Sequence, residues 1–221
     1  MTIQEYFGDW SKVIDLKEAN RIMKKLSASN FPICPTIKNV FKAFRKCPFK
    51  DLRLIVIGQD PYPQKDIATG IAFANTPDTK ELSPSLEILK ESVIDYTIPH
   101  KTITFDPSLE KWEAQGVLLL NAALTCELGR VGSHSLLWRP FIQSFLTNLS
   151  KYHTGIVYLL MGTAAQSFEP YINKQFNYVI RIRHPSWYVR QKKRMPSDVW
   201  REINNILIGQ NGYGIEWYKE Q

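Results

Sequence analysis

Polar side chains follow each of four short apolar runs in this chain, and their types are suited to chemistry. "GQDPY" (58–62) comes directly after "LRLIVI" and brings an amide, a carboxylate and a phenol to the end of an apolar segment. Asn121 follows "VLLL", "GT" (162–163) follows "GIVYLLM", and "RHPS" (183–186) follows "YVIRI". A carboxylate and an imidazole transfer protons or stabilise charge, and an amide reads a ligand through its hydrogen bonds.

Each of these features has an ordinary structural explanation when it is taken alone. Asp-Pro is a frequent turn element, an asparagine after a strand often caps the next helix, and His-Pro is common in loops. A surface turn does not explain the apolar "GIAFA" at 70–74, however. If the four runs are parallel strands of one sheet, all four polar exits lie around one crevice beyond the carboxyl ends of the strands, where such sheets bind ligands.

The four apolar runs are therefore predicted to be the strands of one sheet. The first three show little alternation of polar and apolar residues, which indicates strands buried on both faces of a largely parallel sheet. Helix-like segments alternate with them, and Ser83 and Pro84 suit the start of one. This order predicts an α/β sandwich with helices on both faces of the sheet. The predicted strands are 52–57, 117–120, 155–161 and 178–182, and the predicted helices are 17–28, 37–46, 83–93, 135–152 (with Pro140 early in the helix or at its start) and one from Ser197.

Length and composition indicate an ordinary globular protein of 221 residues, with one domain over 1–221 as the simplest organisation. The formal charge of +7 favours an anionic partner, such as nucleic acid or a membrane surface. Cys34, Cys47 and Cys126 form no C-x-x-C pair, so we expect reduced, buried thiols and neither a zinc site nor an iron–sulfur cluster. No signal peptide and no membrane-spanning run are recognisable, which predicts a soluble intracellular protein.

With these residues in place, the chain resembles family 1 uracil-DNA glycosylases. The resemblance extends over residues 37 to 207 and implies a four-stranded parallel sheet between two layers of helices. It implies a hydrolase without cofactor or metal that removes uracil from single- or double-stranded DNA and leaves an abasic site. It further implies a monomer of the cytoplasm, or of a nucleus or virus. The motifs that carry it are "GQDPY" (58–62), "GIAFA" (70–74), "SPSL" (83–86), "EAQGVLLLNAALT" (113–125), "LLMGTAAQ" (159–166) and "RHPS" (183–186).

Two residues match the catalytic positions of that family. The resemblance implies that Asp60 orients water and, as a carboxylate, stabilises the oxocarbenium-like sugar. It leaves open whether proton abstraction or electrostatics dominates. His184 is expected to act as neutral imidazole and to hydrogen-bond the uracil carbonyl on which negative charge accumulates.

Four further residues match the uracil pocket of the family. Tyr62 is expected to block the place of thymine's methyl group, and Asn121 to read uracil's edge and reject cytosine. Phe73 is expected to stack on the base, although without the motif it reads as a plain core phenylalanine. Gln59 contributes to the same pocket.

The remaining predicted contacts are to DNA. Ser85, Thr163 and Ser186 match loops that hold the DNA backbone, and His134 falls near another such contact, with an ordinary surface histidine as the alternative.

Two departures from the family stand out. Pro63 replaces the histidine that follows "GQDPY", which removes a backbone donor and stiffens the loop.

The second departure is in the segment "HPSWYVRQKKRMP" (184–196), where the family has a leucine that fills the gap left by the extruded base. Tyr188, or else Trp187, is the hypothesised wedge. The basic residues are expected to grip phosphates, with a solvated loop as the alternative; they are Arg190, Lys192, Lys193 and Arg194. The departures keep open a second function, a DNA-binding homologue with weak or dispensable activity that tethers replication proteins. A changed base preference is disfavoured by Tyr62 and Asn121.

Overall fold

A computed structural model describes residues 2–76, 79–96 and 103–220. The strands are β1 (Ile33–Cys34), β2 (Leu54–Gly58), β3 (Ile103–Thr104), β4 (Val117–Asn121), β5 (Cys126–Glu127), β6 (Val157–Met161), β7 (Tyr178–Ile182) and β8 (Lys219–Glu220). The α-helices are α1 (Ile3–Phe7), α2 (Leu16–Ser27), α3 (Lys42–Lys46), α4 (Pro84–Tyr96), α5 (Glu110–Glu113), α6 (Ser135–Leu149), α7 (Gly162–Gln166), α8 (Pro185–Gln191) and α9 (Asp198–Asn211). Short 3₁₀ segments cover Gly8–Lys12, Ile37–Asn39, Phe49–Asp51 and Glu169–Tyr171.

The centre of the molecule is a parallel sheet in the order β4-β2-β6-β7. Strands β2, β4 and β6 are buried at every residue, which agrees with their lack of alternation. Strand β7 is one of the two edge strands, and its residues Tyr178 and Arg181 are exposed. The predicted sandwich with a central four-stranded parallel sheet is therefore confirmed. Two short antiparallel ladders, β1 with β5 and β3 with β8, lie outside this sheet.

Helices cover both faces of the sheet, and each face has its own hydrophobic core. Alternate residues of β2 point to opposite sides, as the pleat of a strand requires. Ile55 and Ile57 pack with one cluster and Leu54 and Val56 with the other. The first cluster includes the aromatic residues Trp10, Phe41, Phe44, Trp138, Phe141 and Phe145, and the second includes Trp112, Trp200 and Trp217.

Most predicted helices are confirmed, but the prediction of one continuous helix over 37–46 is wrong. The structure has a 3₁₀ turn at Ile37–Asn39 and a separate helix from Lys42. The interruption lies where the chain after β2 passes close by: a Cβ on Gly70 would be 1.9 Å from the carbonyl oxygen of Asn39. Pro140 lies in the second turn of α6 rather than at its start.

Helix α8 (Pro185–Gln191) lies within the segment 184–196 that carries the hypothesised wedge, and for whose basic residues a solvated loop is the alternative. Pro185 occupies its first position, where a missing N–H costs no hydrogen bond. The ring of His184 caps the helix by accepting the Ser186 N–H at its Nδ1 atom, at 3.2 Å. The three cysteines are free and buried, as predicted. Within the residues given above, no helix has both the length and the apolar character needed to cross a bilayer.

Candidate active site

The carboxyl ends of the central strands open into a cavity of about 300 Å³, at the lower end of the range for small-molecule sites. The parallel register places Gly58 of β2 directly opposite Asn121 of β4. All six residues predicted to be catalytic or uracil-binding line this cavity. They are Gln59, Asp60, Tyr62, Phe73, Asn121 and His184.

Gly58 allows two of these side chains to approach each other. A Cβ at this position would lie 2.6 Å from Asn121 Oδ1 and 2.8 Å from Phe73 Cζ, so no larger residue fits. Phe73 itself has a positive φ of 66°, a conformation that costs energy in a residue with a bulky side chain. This backbone turns the aromatic ring into the site, where its centroid is 5.6 Å from that of His184.

Asn121 is 9% exposed, and its side chain borders the cavity. Its amide makes no hydrogen bond to any part of the chain that the structure describes. A buried amide with free donors and acceptors is costly unless a ligand satisfies it. The geometry therefore favours a ligand with complementary hydrogen-bonding groups.

Asp60 is held by a loop that is distant in sequence. Its Oδ2 atom accepts the backbone N–H of Gly132 at 2.5 Å. Burial raises the pKa of this carboxyl, while the hydrogen bonds from Gly132 and the side chain of Gln59 oppose the rise. The same loop is tied to the segment after β2 a second time, because the Gly129 N–H donates to the Pro63 carbonyl at 2.8 Å.

His184 is held in one tautomer by its neighbour Ser186. The Ser186 N–H lies 3.2 Å and the Ser186 Oγ atom 2.9 Å from Nδ1. Because a backbone N–H only donates, Nδ1 must accept, and the ring hydrogen belongs on Nε2. Burial, and then the positive charge of Arg190, lower the pKa of His184 to about 4. The ring is therefore neutral at pH 7, with one N–H available as a donor.

Tyr62 is fixed at the cavity wall by its hydroxyl, which donates to the Phe73 carbonyl at 2.8 Å. Burial raises its pKa, so it remains a phenol. The ring is consequently a rigid boundary of the site. Substituents on a bound ring would meet this boundary.

The residues predicted to contact DNA separate into three groups. Ser85, Ser186 and Arg190 line the cavity. Thr163 is exposed in the first turn of α7, next to Gly162, where an added Cβ would meet the Cβ of His184 at 2.8 Å. His134 is half-buried with Nδ1 2.8 Å from the Thr125 hydroxyl, and burial lowers its pKa. Their contacts to DNA stay predictions.

The structure does not support Tyr188 as the wedge. Its side chain is 8% exposed and packs into the core below α8, so it is not free to enter a base stack. Trp187 is partly exposed, with the guanidinium of Arg183 4.4 Å and the ammonium of Lys193 5.7 Å from its ring. Of the two aromatic residues, Trp187 alone remains a candidate. Lys192 and Lys193 line a separate groove between α4 and α8.

Sequence reasoning missed the loop that holds Asp60. The contact joins residues 72 positions apart and uses a backbone atom, so no side-chain motif reports it. The sequence offers one sign of this loop, the closely spaced glycines Gly129 and Gly132. In the structure both have a φ of 76°, which marks a tightly turned loop. Val131 between them is 60% exposed and lines the cavity. Within the described residues, no group of three or more metal-binding side chains is found.

The fold and the site define the chain as a member of the uracil DNA glycosylase superfamily, whose family model matches residues 44–208. Curated relatives named uracil-DNA glycosylase agree. That of Vibrio campbellii is 32% identical over 97% of this chain and 91% of its own length, and that of Borrelia turicatae is 35% identical over 95% and 93%.

Solved structures agree with the fold. The uracil-DNA glycosylase of mimivirus superposes with a TM-score of 0.74 over 98% of this chain and 93% of its own, at 19% identity. The wild-type UNG of Nitratifractor salsuginis gives a TM-score of 0.63 over 82% of this chain and 86% of its own, at 22% identity. The resemblance seen in the sequence is therefore confirmed at the level of family and fold.

Proposed function

We propose that this protein is a uracil-DNA glycosylase, which hydrolyses the N-glycosidic bond of uracil in DNA and leaves an abasic site. The observation that carries this proposal is that Asp60, Asn121 and His184 border one cavity although they are far apart in sequence. DNA binding alone needs neither a half-buried carboxylate nor a neutral imidazole. Their presence favours catalysis over the alternative of a tether for replication proteins.

Recognition begins when the nucleotide leaves the base stack, since a base inside a duplex is out of reach. In the proposed complex, the Phe73 ring stacks on the extruded base, a contact worth about 1–3 kcal/mol. The Asn121 amide pairs with uracil's edge, and cytosine's amine leaves buried groups unpaired. The Tyr62 ring occupies the place of thymine's methyl group.

Cleavage of the glycosidic bond separates charge, because the sugar becomes electron-poor and the base gains negative charge. One residue of the site interacts with the sugar and another with the base. The bond from the sugar C1′ to uracil N1 breaks, and its electron pair leaves with the base. His184 donates a hydrogen bond from its Nε2–H to the carbonyl oxygen that gains negative charge, and the hydrogen stays on the ring. The Asp60 carboxylate faces the electron-poor sugar and orients the water that attacks C1′, whose proton is then lost to the carboxylate or to solvent.

We further propose that the protein acts as a monomer, on single- or double-stranded DNA, in the cytoplasm or in a nuclear or viral setting. The cavity is lined by residues from five separate segments of one chain, which supports action as a monomer because no second copy is needed to complete the site. The net charge of +7 supports binding to the phosphate backbone.

The test compares the wild-type protein with Asp60→Asn on DNA that contains one uracil, with a chelator present. Alkali then converts abasic sites into strand breaks. We expect breaks with the wild type and a rate at least about 100-fold lower with Asp60→Asn, because the amide carries no charge to stabilise the sugar. DNA binding by Asp60→Asn should persist. Equal rates for the two proteins would refute the role of Asp60, and no breaks with the wild type would refute the enzyme.

A further inference from the structure

Arg190, a residue that is expected to grip a phosphate, is exposed and contributes to the lining of the active-site cavity. It lies one helical turn after Ser186 on α8 and lines the cavity. Its Nη1 atom donates to the Ser186 Oγ atom at 3.1 Å. The same oxygen is 2.9 Å from His184 Nδ1, so the three side chains form a chain of hydrogen bonds that ends at the predicted catalytic ring.

The direction of these hydrogen bonds follows from the inventory of donors. A guanidinium has no acceptor, so Arg190 must donate to a lone pair of the Ser186 hydroxyl. The hydroxyl hydrogen is then directed away from the cation, toward His184 Nδ1. The backbone N–H of Ser186 points at the same nitrogen. A hydrogen on Nδ1 would face the hydrogens of both donors, the Ser186 hydroxyl and the Ser186 N–H, and these hydrogens would repel one another.

We propose that Arg190 is a positioning residue for His184, which through Ser186 holds the imidazole neutral, with its hydrogen on Nε2 and directed at the substrate. This inference rests on the proposed function, and it goes beyond it by giving Arg190 a role in the chemical step. In this proposal Arg190 acts through its hydrogen bond to Ser186 rather than by contact with the base or the sugar.

The other groups around His184 do not replace this role. Asp60 and Tyr62 line the same cavity from the segment after β2, and a carboxylate there favours a charged imidazole rather than a neutral one. Phe73 contributes only its ring face, and Gly162 contacts the Cβ atom. Burial is the largest cause of the lowered pKa of His184, and Arg190 is the cation whose charge adds to it by opposing protonation of the ring.

The first arm of the experiment is ¹⁵N NMR of histidine-labelled protein without DNA, in wild type, Arg190→Met and Arg190→Lys. The His184 resonance is assigned from His184→Gln. We expect the wild type to show a hydrogen on Nε2 and none on Nδ1. In Arg190→Met the titration of His184 should move to higher pH, so that the charged ring with both hydrogens appears at a pH at which the wild-type ring is neutral, while Arg190→Lys, which keeps a cation, should restore most of the wild-type titration. An unchanged His184 spectrum in Arg190→Met would overturn the proposal.

The second arm measures uracil release at pH 7. For Arg190→Met we expect kcat to fall roughly 3- to 10-fold, the loss for one charge-assisted hydrogen bond near the surface, with little change in KM. A residue that binds phosphate gives the opposite result, a raised KM and a weaker dependence of KM on salt. That opposite result for Arg190→Met would also overturn the proposal.

Lys192→Met is the matched comparison, because it removes one positive charge two residues away without touching Ser186. We expect it to weaken the salt dependence of KM and to leave the His184 spectrum as in the wild type. A wild type without uracil release would defeat the proposed function. The NMR arm would still decide whether Arg190 controls His184.

Discussion

At the scale of single residues, the site works through side chains whose protonation states are set by their surroundings. Burial raises the pKa of Asp60 and lowers that of His184 to about 4. The shift of His184 keeps a neutral imidazole in the cavity at pH 7, beside an Asp60 carboxyl group whose burial opposes its ionisation. Tyr62 adds a fixed wall to this cavity.

Tyr62→Ala is predicted to release thymine from DNA, because it removes the wall that excludes the methyl group. The discrimination attributable to a methyl-sized clash is about 1–3 kcal/mol, so the ratio of thymine to uracil release should rise roughly 10- to 200-fold. Tyr62→Phe is the control, since it loses the hydrogen bond to the Phe73 carbonyl and keeps the ring. The measurement is the rate of base release from matched thymine and uracil substrates. Thymine left intact by Tyr62→Ala would count against the steric role.

At the scale of elements, helix α8 organises one side of the site. Its N-terminus is capped by His184, its inner face carries Ser186 and Arg190, and its underside is anchored by Tyr188 in the core. Trp187 stands at its edge with cations near its ring. The helix therefore holds Ser186 and Arg190 in fixed positions at the cavity. Its two aromatic residues are predicted to have different tasks, Tyr188 in stability and Trp187 in contact with DNA.

Substitution of the two aromatic residues should separate these tasks. Trp187→Ala is predicted to slow uracil release from duplex DNA more than from a single strand of the same sequence, because only the duplex leaves a gap to be filled. Tyr188→Ala is predicted to lower the free energy of unfolding by about 3 kcal/mol through the cavity it creates, and to slow both substrates alike. Trp187→Phe and Tyr188→Phe are the controls. Equal loss on both substrates for Trp187→Ala would remove it as the wedge.

At the scale of the whole molecule, the fold buries an acidic side chain that is not part of the site, that of Glu113. Glu113 ends helix α5 and has no exposed surface. Burial raises its pKa well above 4.5. Above about pH 4.5, folding therefore takes up a proton at this site that a growing fraction of the unfolded chains lacks. This uptake costs free energy, and the cost grows with pH.

Glu113→Gln is predicted to stabilise the fold increasingly as pH rises. The folded pKa lies above the unfolded value, so the stability of the wild type falls through the window above about pH 4.5, by up to about 1.4 kcal/mol per pH unit. Glutamine keeps the shape and binds no proton. Urea unfolding at pH 5, 6, 7 and 8 measures the difference. A difference that does not grow with pH would contradict this account of Glu113.

Glu110→Gln is the matched control on the same helix, with the opposite sign. Lys46 and Lys42 lower the pKa of Glu110, so its carboxylate contributes stability above its unfolded pKa, which is lost on acidification. The variant should be less stable than the wild type at pH 7 and should approach it as the pH falls.

The features that the sequence predicts best are local patterns and the residues at the ends of strands. The apolar runs, the start of α4 at Pro84 and the convergence of Asp60 with His184 all follow from segments whose pattern is complete in itself. The hydrogen bond from Gly132 to Asp60 depends on a loop brought close by the fold, so no local pattern encodes it. The same holds for Glu113, which reads as a surface acid until α5 packs against the sheet.

Helix α8 shows a different limit. Its basic residues leave a solvated loop open as an alternative, but Pro185 at the first position and the His184 cap favour a helix, and packing of Tyr188 stabilises it. The prediction of one domain over 1–221 stays a prediction.

The most direct test of the central claim identifies the base that the wild-type protein releases from DNA. Oligonucleotides that differ only in one base, uracil, cytosine or thymine, are incubated with the protein and a chelator, and free bases are separated and identified by mass. We predict free uracil and neither of the others, because Asn121 and Tyr62 exclude them while Asp60 and His184 cleave the bond. Release of cytosine or thymine at the rate of uracil, or release of no base, would contradict the account.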